Sequence, residues 1–157
     1  MSKTAIPILL IFNFFLMAGC QAPKQEVKLP LEIQAIQKQD FETTKKIAFS
    51  SVVSVLQDLG YIIGSADFET GLITATSPTS ETIDWIFTGN SYQSLTKVTG
   101  FVEKINSDLV SIRLNFVANK TASSLYGQAR VNDTPILDKN VYIDAFNKIE
   151  NAIFIRF

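Results

Sequence analysis

The stretch that decides the fold is Val98-Thr-Gly-Phe-Val-Glu-Lys-Ile105, followed by Asn106-Ser-Asp108 and Leu109-Val-Ser-Ile-Arg-Leu-Asn-Phe-Val-Ala118. In its second half, apolar residues alternate with polar ones at Val110, Ile112, Leu114 and Phe116. This period of two is typical of a strand that buries one face, and the polar residues between the two runs predict a hairpin turn. The sheet therefore needs a covering layer on one side.

Two amphipathic helices are predicted to supply that layer. The first carries one apolar stripe at Ala48, Val52, Val55, Leu56 and Leu59. Thr43 is the expected N-cap of this helix and Gly60 its left-handed terminator. The second stripe follows Asp138, which is the expected cap, and consists of Tyr142, Ala145, Phe146, Ile149, Ala152 and Ile153. Both stripes have the helical period of an element with one buried face.

Further strands are predicted on either side of these elements. Alternation over 31–41 indicates a first strand, and 61–63 pairs with 71–76 across a loop at 67–71. A weaker edge strand is expected over 123–131, closed by Thr134-Pro135, and 79–95 is expected to form a short helix or an irregular crossing. The sequence thus predicts a two-layer α+β domain, with about five to six mostly antiparallel strands and two helices packed on one face.

The N-terminus has the organisation of a signal peptide. Lys3 supplies a positive charge, and an apolar run interrupted only by Asn13 follows from Ala5 to Met17. These 13 residues would span about 20 Å as a helix, which is short of the roughly 30 Å hydrocarbon core. Residues 1–19 are therefore predicted to be a cleaved signal peptide rather than a membrane span.

The segment Leu16-Met17-Ala18-Gly19-Cys20 resembles the lipobox of bacterial lipoproteins. The resemblance implies that diacylglycerol is attached to the sulfur of Cys20, that a peptidase cuts before this residue, and that the new amino group is acylated. Gln21 resembles the outer-membrane sorting signal, which implies an anchor at the periplasmic face of the outer membrane. The alternative is a plain secretory signal followed by a coincidental free cysteine, or a buried core cysteine.

The mature chain is predicted to be one domain on a tether. Residues 20–30 are polar apart from the lipid-bearing cysteine, contain two prolines and show no periodicity, so they form a lipidated N-terminus and a flexible tether. Residues 31–157 then form a single domain of ordinary size.

Composition excludes several kinds of chemistry. The 14 basic residues are scattered among 15 acidic ones, so the sequence offers no basic face for nucleic acid. With one cysteine and no histidine, no imidazole-based triad or zinc site of the usual ligands is available. The acidic pairs Asp67 with Glu69 and Glu81 with Asp84 are expected to be solvated. We therefore expect no enzyme, no cofactor and no metal.

Several segments resemble a family of short, functionally unassigned proteobacterial lipoproteins. The likeness extends over about 37–157 and is carried by 37–43, 56–61, 71–75, 112–116 and 142–154. The order of elements behind the lipobox is also distantly similar to the helix-grip-like modules of outer-membrane assembly lipoproteins. Because folds host unrelated functions, this second resemblance implies architecture alone.

Two functions follow from this sequence. The first is a non-catalytic structural or interaction subunit of a cell-envelope assembly, bound to the membrane through its lipid and to envelope protein partners. Trp85, Phe87 and Tyr92 are its candidate partner-binding residues, although large aromatic residues commonly belong to a core. The alternative is a helix-grip-type module for an apolar or amphiphilic small molecule, with a cavity lined by Phe101, Phe116 and Val55.

Overall fold

The computed structural model describes residues 30–84, 90–124 and 129–156. In this part of the chain the helices are α1 (Pro30–Gln37), α2 (Lys45–Asp58) and α3 (Lys139–Arg156). The strands are β1 (Lys38–Glu42), β2 (Ile62–Asp67), β3 (Leu72–Thr76), β4 (Ser80–Asp84), β5 (Asn90–Lys104), β6 (Leu109–Ser124) and β7 (Ala129–Pro135). All described pairings are antiparallel, which confirms the α+β prediction, with seven strands where five to six were expected.

The long β5–β6 hairpin organises the sheet. It pairs continuously from Asn90 with Ser124 to Lys104 with Val110, so the predicted turn at 106–108 is confirmed. The strand order is β1-β6-β5-β3-β2, while β4 pairs with β5 and β7 pairs with β6. Accordingly, β1 and β3 flank the hairpin near its turn, and β4 and β7 flank its far half.

The hydrophobic core lies between α2, α3 and the half of the hairpin near the turn. Both predicted helical stripes face it, and Ala48, Val52, Val55, Leu56, Tyr142, Ala145, Phe146, Ile149 and Ile153 are buried. From the sheet it receives Phe41, Ile73, Ala75, Val98, Val102, Val110, Ile112, Leu114 and Phe116. Because β-strand side chains alternate, only every second residue of β5 and β6 contributes. Along the hairpin, the core ends at the paired residues Val98 and Phe116.

The strand predicted over 31–41 is largely wrong, since α1 occupies its first part and only β1 is extended. Pro30 stands at the first helical position, where its fixed φ suits a helix and its missing N–H is no loss. Leu31 is 77% exposed, so the alternation that indicated a strand did not mark a buried face.

The helix or irregular crossing predicted over 79–95 is also wrong, because β4 and the start of β5 form a paired hairpin there. The predicted edge strand over 123–131 is displaced: β6 continues to Ser124, and the last strand is β7. These strands are rich in polar residues, so the sequence showed no apolar period by which to recognise them.

Side-chain caps and one glycine with a positive φ mark the ends of the two long helices. The N-cap of α2 is Thr44 rather than the predicted Thr43: the Thr44 hydroxyl accepts a hydrogen bond from Ile47 N at 3.4 Å. Thr43 is instead buried, and its hydroxyl has no hydrogen-bond partner in the described structure. Gly60 adopts the expected positive φ of 84°. Asp138 caps α3 as predicted, accepting from the N–H of Asn140 at 2.9 Å.

Candidate functional site

The far half of the long hairpin, together with β4 and β7, forms a four-stranded extension of the sheet. We call it the arm; it comprises 80–84, 90–97, 117–124 and 129–135. Within the described ranges, neither β4 nor β7 has a substantial contact with a helix, and no arm residue belongs to the hydrophobic core. Within the described residues, the arm therefore presents two faces of a sheet without a covering layer.

Side chains of the arm explain why no core forms there. Most of those described are Ser, Thr, Asn, Gln or charged, and the larger apolar or aromatic ones are exposed or only half-buried. Tyr92 is 46% exposed and Val131 is 61% exposed. A sheet of this size is normally stabilised by burying an apolar face. The arm lacks that burial and relies on its backbone ladder and on the hairpin that enters the core.

The inner face of the arm, on the same side of the sheet as the helices, contains a notch. The strand register aligns Thr82, Tyr92, Ala122 and Arg130 in one row across the four strands. The small side chain of Ala122 separates the large side chains of Tyr92 and Arg130. A cavity of about 410 Å³ lies here, lined by Thr82, Tyr92, Gln93, Ser94, Lys120, Thr121, Ala122, Arg130 and Asn132.

The two faces of the arm differ in charge. Lys120 lies in the row next to Arg130, and the described residues that line the notch include no carboxylate. On the outer face, Asp133 lies 3.7 Å from Lys97 Nζ and accepts a hydrogen bond from Asn119 at 2.5 Å. Among the described side chains, Lys97 of the outer face is thus paired with Asp133, whereas Lys120 and Arg130 of the inner face have no acidic partner and are available to a ligand.

A second cavity of about 410 Å³ lies between β1 and α3. Its lining is Gln39, Asp40, Phe41, Glu42, Glu150, Ile153 and Phe154. A smaller one of about 130 Å³ lies between α1 and α3. Neither brings a cation together with an exposed aromatic ring in a cross-strand row, as the notch does.

The cavity predicted for a helix-grip module is not formed by its expected residues. Phe116 and Val55 are packed in the core, at 1% and 4% exposure. Phe101 pairs with Arg113 in β6. Successive side chains of a strand point to opposite faces, and Val98 and Val102 of the same strand face the core. The side chain of Phe101 therefore lies on the face of the sheet away from the core. The three side chains therefore cannot line one pocket.

Of the predicted partner-binding residues, Tyr92 lies on the inner face of the arm. Trp85 and Phe87 lie outside the described residues, as do Cys20 and the lipobox positions Leu16, Met17, Ala18 and Gly19. Sequence reasoning missed Lys120, Ala122 and Arg130 as components of a site. No signal local to either strand could have revealed them, because the notch arises from the pairing of β6 with β7.

Among the described residues, the titratable groups with altered pKa values lie outside the arm. The Thr70 hydroxyl and the Glu69 N–H, each 2.9 Å from the Asp67 carboxylate, lower the pKa of that carboxyl. Burial raises the pKa of Tyr61. Within 30–84, 90–124 and 129–156, no group of three or more His, Cys, Asp or Glu residues could hold a metal ion. In the same ranges, no helix has the length and apolar character needed to cross a membrane.

Comparison with known proteins gives a distant likeness to solved structures. No protein-family model matches the chain, and no curated protein matches it. Among solved structures, it is similar to a DUF4468 family protein from Bacteroides ovatus, with 10% sequence identity and a TM-score of 0.37. The match covers 74% of this chain and 84% of the other. At that TM-score, the likeness carries no argument about fold or function.

Proposed function

We propose that the mature chain is a lipid-anchored lipoprotein at the periplasmic face of the outer membrane, where it serves as a non-catalytic interaction subunit of a cell-envelope assembly. The observation that carries this proposal is the arm, which projects beyond the core without a helix over β4 or β7 in the described structure.

An uncovered arm is well suited to contact another protein. Within the described residues, β4 pairs only with β5 and β7 pairs only with β6, so each leaves one edge free. Free edges and uncovered faces readily accept further strands or side chains. Tyr92 on one face and Val131 on the other are both exposed. A partner that covers the arm would supply the packing that the lone chain does not.

The anchor supports the same proposal. Nine residues separate Cys20 from Pro30, and a fully extended chain of that length reaches roughly 30 Å. Two or three acyl chains would hold the chain firmly on the membrane, because each buried methylene contributes about 0.8 kcal/mol. The domain would thus stay close to the membrane surface, where envelope assemblies reside.

Site-specific photocrosslinking in native membranes tests this function. A photoreactive phenylalanine analogue is placed at Tyr92 or Val131 in the arm, and at Ile143 of α3 as a control of comparable exposure. We expect a discrete, reproducible protein adduct from the arm and none from the control. Recovery of the bare monomer from both arm positions would contradict the proposal.

A further inference from the structure

We propose that the inner face of the arm binds an acidic segment of a partner protein, which places a carboxylate in the notch between Tyr92 and Arg130. The inference rests on the proposed function, since it specifies the chemistry of the partner that the arm would meet.

The shape of the notch follows from the strand register. Tyr92 on β5 and Arg130 on β7 are separated by one strand, β6, so their backbones are about 10 Å apart. Ala122 occupies the position between them and contributes only a methyl group. The gap is wide enough for a protruding carboxylate side chain, with Tyr92 as one wall and Arg130 as the other.

The charge of the notch defines the ligand. Lys120 is the diagonal neighbour of Arg130 across β6 and β7, at a typical backbone separation of about 7–8 Å. Among the described residues that line the cavity there is no carboxylate, and Thr82, Ser94 and Asn132 add neutral hydrogen-bonding groups. Arginine binds carboxylates through two parallel hydrogen bonds, and lysine adds a second positive charge. The site therefore complements an anion on a protruding group.

Three observations favour a protein segment over a lipid surface. Basic patches that bind anionic membranes typically contain about four to eight Lys and Arg residues, whereas the notch has two. In addition, exposed Tyr and Arg residues beside a pocket are the types that dominate protein interfaces. The free edges of β4 and β7 also provide backbone groups that an extended peptide could bind.

Fluorescence anisotropy with defined probes tests the inference on the full mature chain in detergent micelles. The probe is a fluorescein-labelled nonapeptide of alternating Glu and Thr, and its control has Gln in place of every Glu. We expect the Glu peptide to bind about ten-fold more tightly than the Gln peptide, and its affinity to fall about ten-fold between roughly 50 and 300 mM NaCl. Equal binding of the two peptides would overturn the inference.

Three variants locate the binding. The double substitution Lys120→Gln with Arg130→Gln removes both cations, and Ala122→Phe fills the notch without changing its charge. Each is expected to weaken the Glu peptide about ten-fold. Lys97→Gln removes an arm cation from the outer face and should change the affinity by less than about two-fold. Thermal melts followed by circular dichroism establish whether each variant is folded. If Ala122→Phe does not fold, the double Gln variant alone tests whether the notch is the binding site.

Other results would refute the notch as the binding site, the acidic partner or the proposed function. Undiminished binding by the double Gln variant, or an equal loss with Lys97→Gln, would show that the notch is not the site. Binding to phosphatidylglycerol vesicles without binding to the Glu peptide would make a membrane the occupant and overturn the inference. If the peptide test fails while the Tyr92 crosslink still forms, only the acidic partner is refuted. If both fail, the proposed function fails as well.

Discussion

Replacement of Gly71 by alanine should destabilise the domain far more than the same change at Gly60. Both glycines have a positive φ, 79° and 84°, so each alanine incurs a conformational cost of roughly 1–2 kcal/mol. At Gly60 an added Cβ meets nothing within 4 Å. At Gly71 it would lie 2.2 Å from the carbonyl oxygen of Val102, a backbone atom that cannot rotate away.

The additional cost at Gly71 has two sources. Forced overpacking typically costs about 1–3 kcal/mol, and backbone displacement would weaken the 2.9 Å hydrogen bond from Val102 N to Gly71 O, worth about 1 kcal/mol. The free energy of unfolding should therefore fall by about 2–4 kcal/mol more in Gly71→Ala than in Gly60→Ala. Replacing glycine by alanine also lowers the conformational entropy of the unfolded chain, but this effect is similar at the two positions and largely cancels when the two variants are compared.

Urea unfolding followed by circular dichroism measures this difference directly. With a slope of about 1–3 kcal/mol per M, the midpoint of Gly71→Ala should lie about 1–2 M below that of Gly60→Ala. Agreement of the two unfolding free energies to within about 1 kcal/mol would refute the close approach of the β2–β3 turn to β5, and with it the packing described for that edge of the core.

Three further outcomes are expected. Thr44→Ala should lower the free energy of unfolding by about 1 kcal/mol in urea titrations, because it removes the N-cap of α2. Thr43→Val should be neutral or stabilising, because it removes a buried hydroxyl that has no partner in the described structure. A larger loss of stability in Thr43→Val than in Thr44→Ala would contradict the assignment of the cap. Tyr142→Phe should cost about 1–2 kcal/mol by the same assay, since its hydroxyl donates to a backbone carbonyl at 2.9 Å, and an unchanged midpoint would argue against that bond. Because the pKa of Asp67 is lowered in the folded protein, its carboxylate stabilises the fold at pH values above the ordinary carboxyl pKa of about 3.9, and that stability is lost as the pH falls through the folded-state pKa. In NMR titrations, Thr70→Val should raise the pKa of Asp67 toward its ordinary range. An unchanged pKa would exclude the Thr70 hydroxyl as the main cause.

The parts of the fold that bury apolar surface were predictable from the sequence. Alternation from Val110 to Phe116 specified an inward face, and the helical stripes specified what covers it. In contrast, α1 was missed because its exposed Leu31 imitates the alternation of a strand, whereas Pro30 allows a helix to begin there.

The arm and its notch could not be predicted for a different reason. Strands with polar residues on both faces show no hydrophobic period, so β4 was missed and the strand that became β7 was predicted with displaced bounds. Lys120 and Arg130 belong to different strands, and only the antiparallel register makes them neighbours. Tyr92 was singled out for its aromatic ring, but its position beside two cations required the structure. Lipidation of Cys20 stays a prediction, since that residue lies outside the described ranges.

Thiol labelling tests the central claim most directly. The chain contains one cysteine, so a second can be introduced by Ser94→Cys on the inner face of the arm, or by Ser107→Cys at the hairpin turn as a control. If Cys20 is lipidated and a partner covers the arm, the wild-type chain will not react with a maleimide. Ser94→Cys will then react about ten-fold more slowly in native membranes than after purification, and the control will react equally in both. Reaction of the wild-type thiol, or equal rates for Ser94→Cys in the two states, would contradict the account.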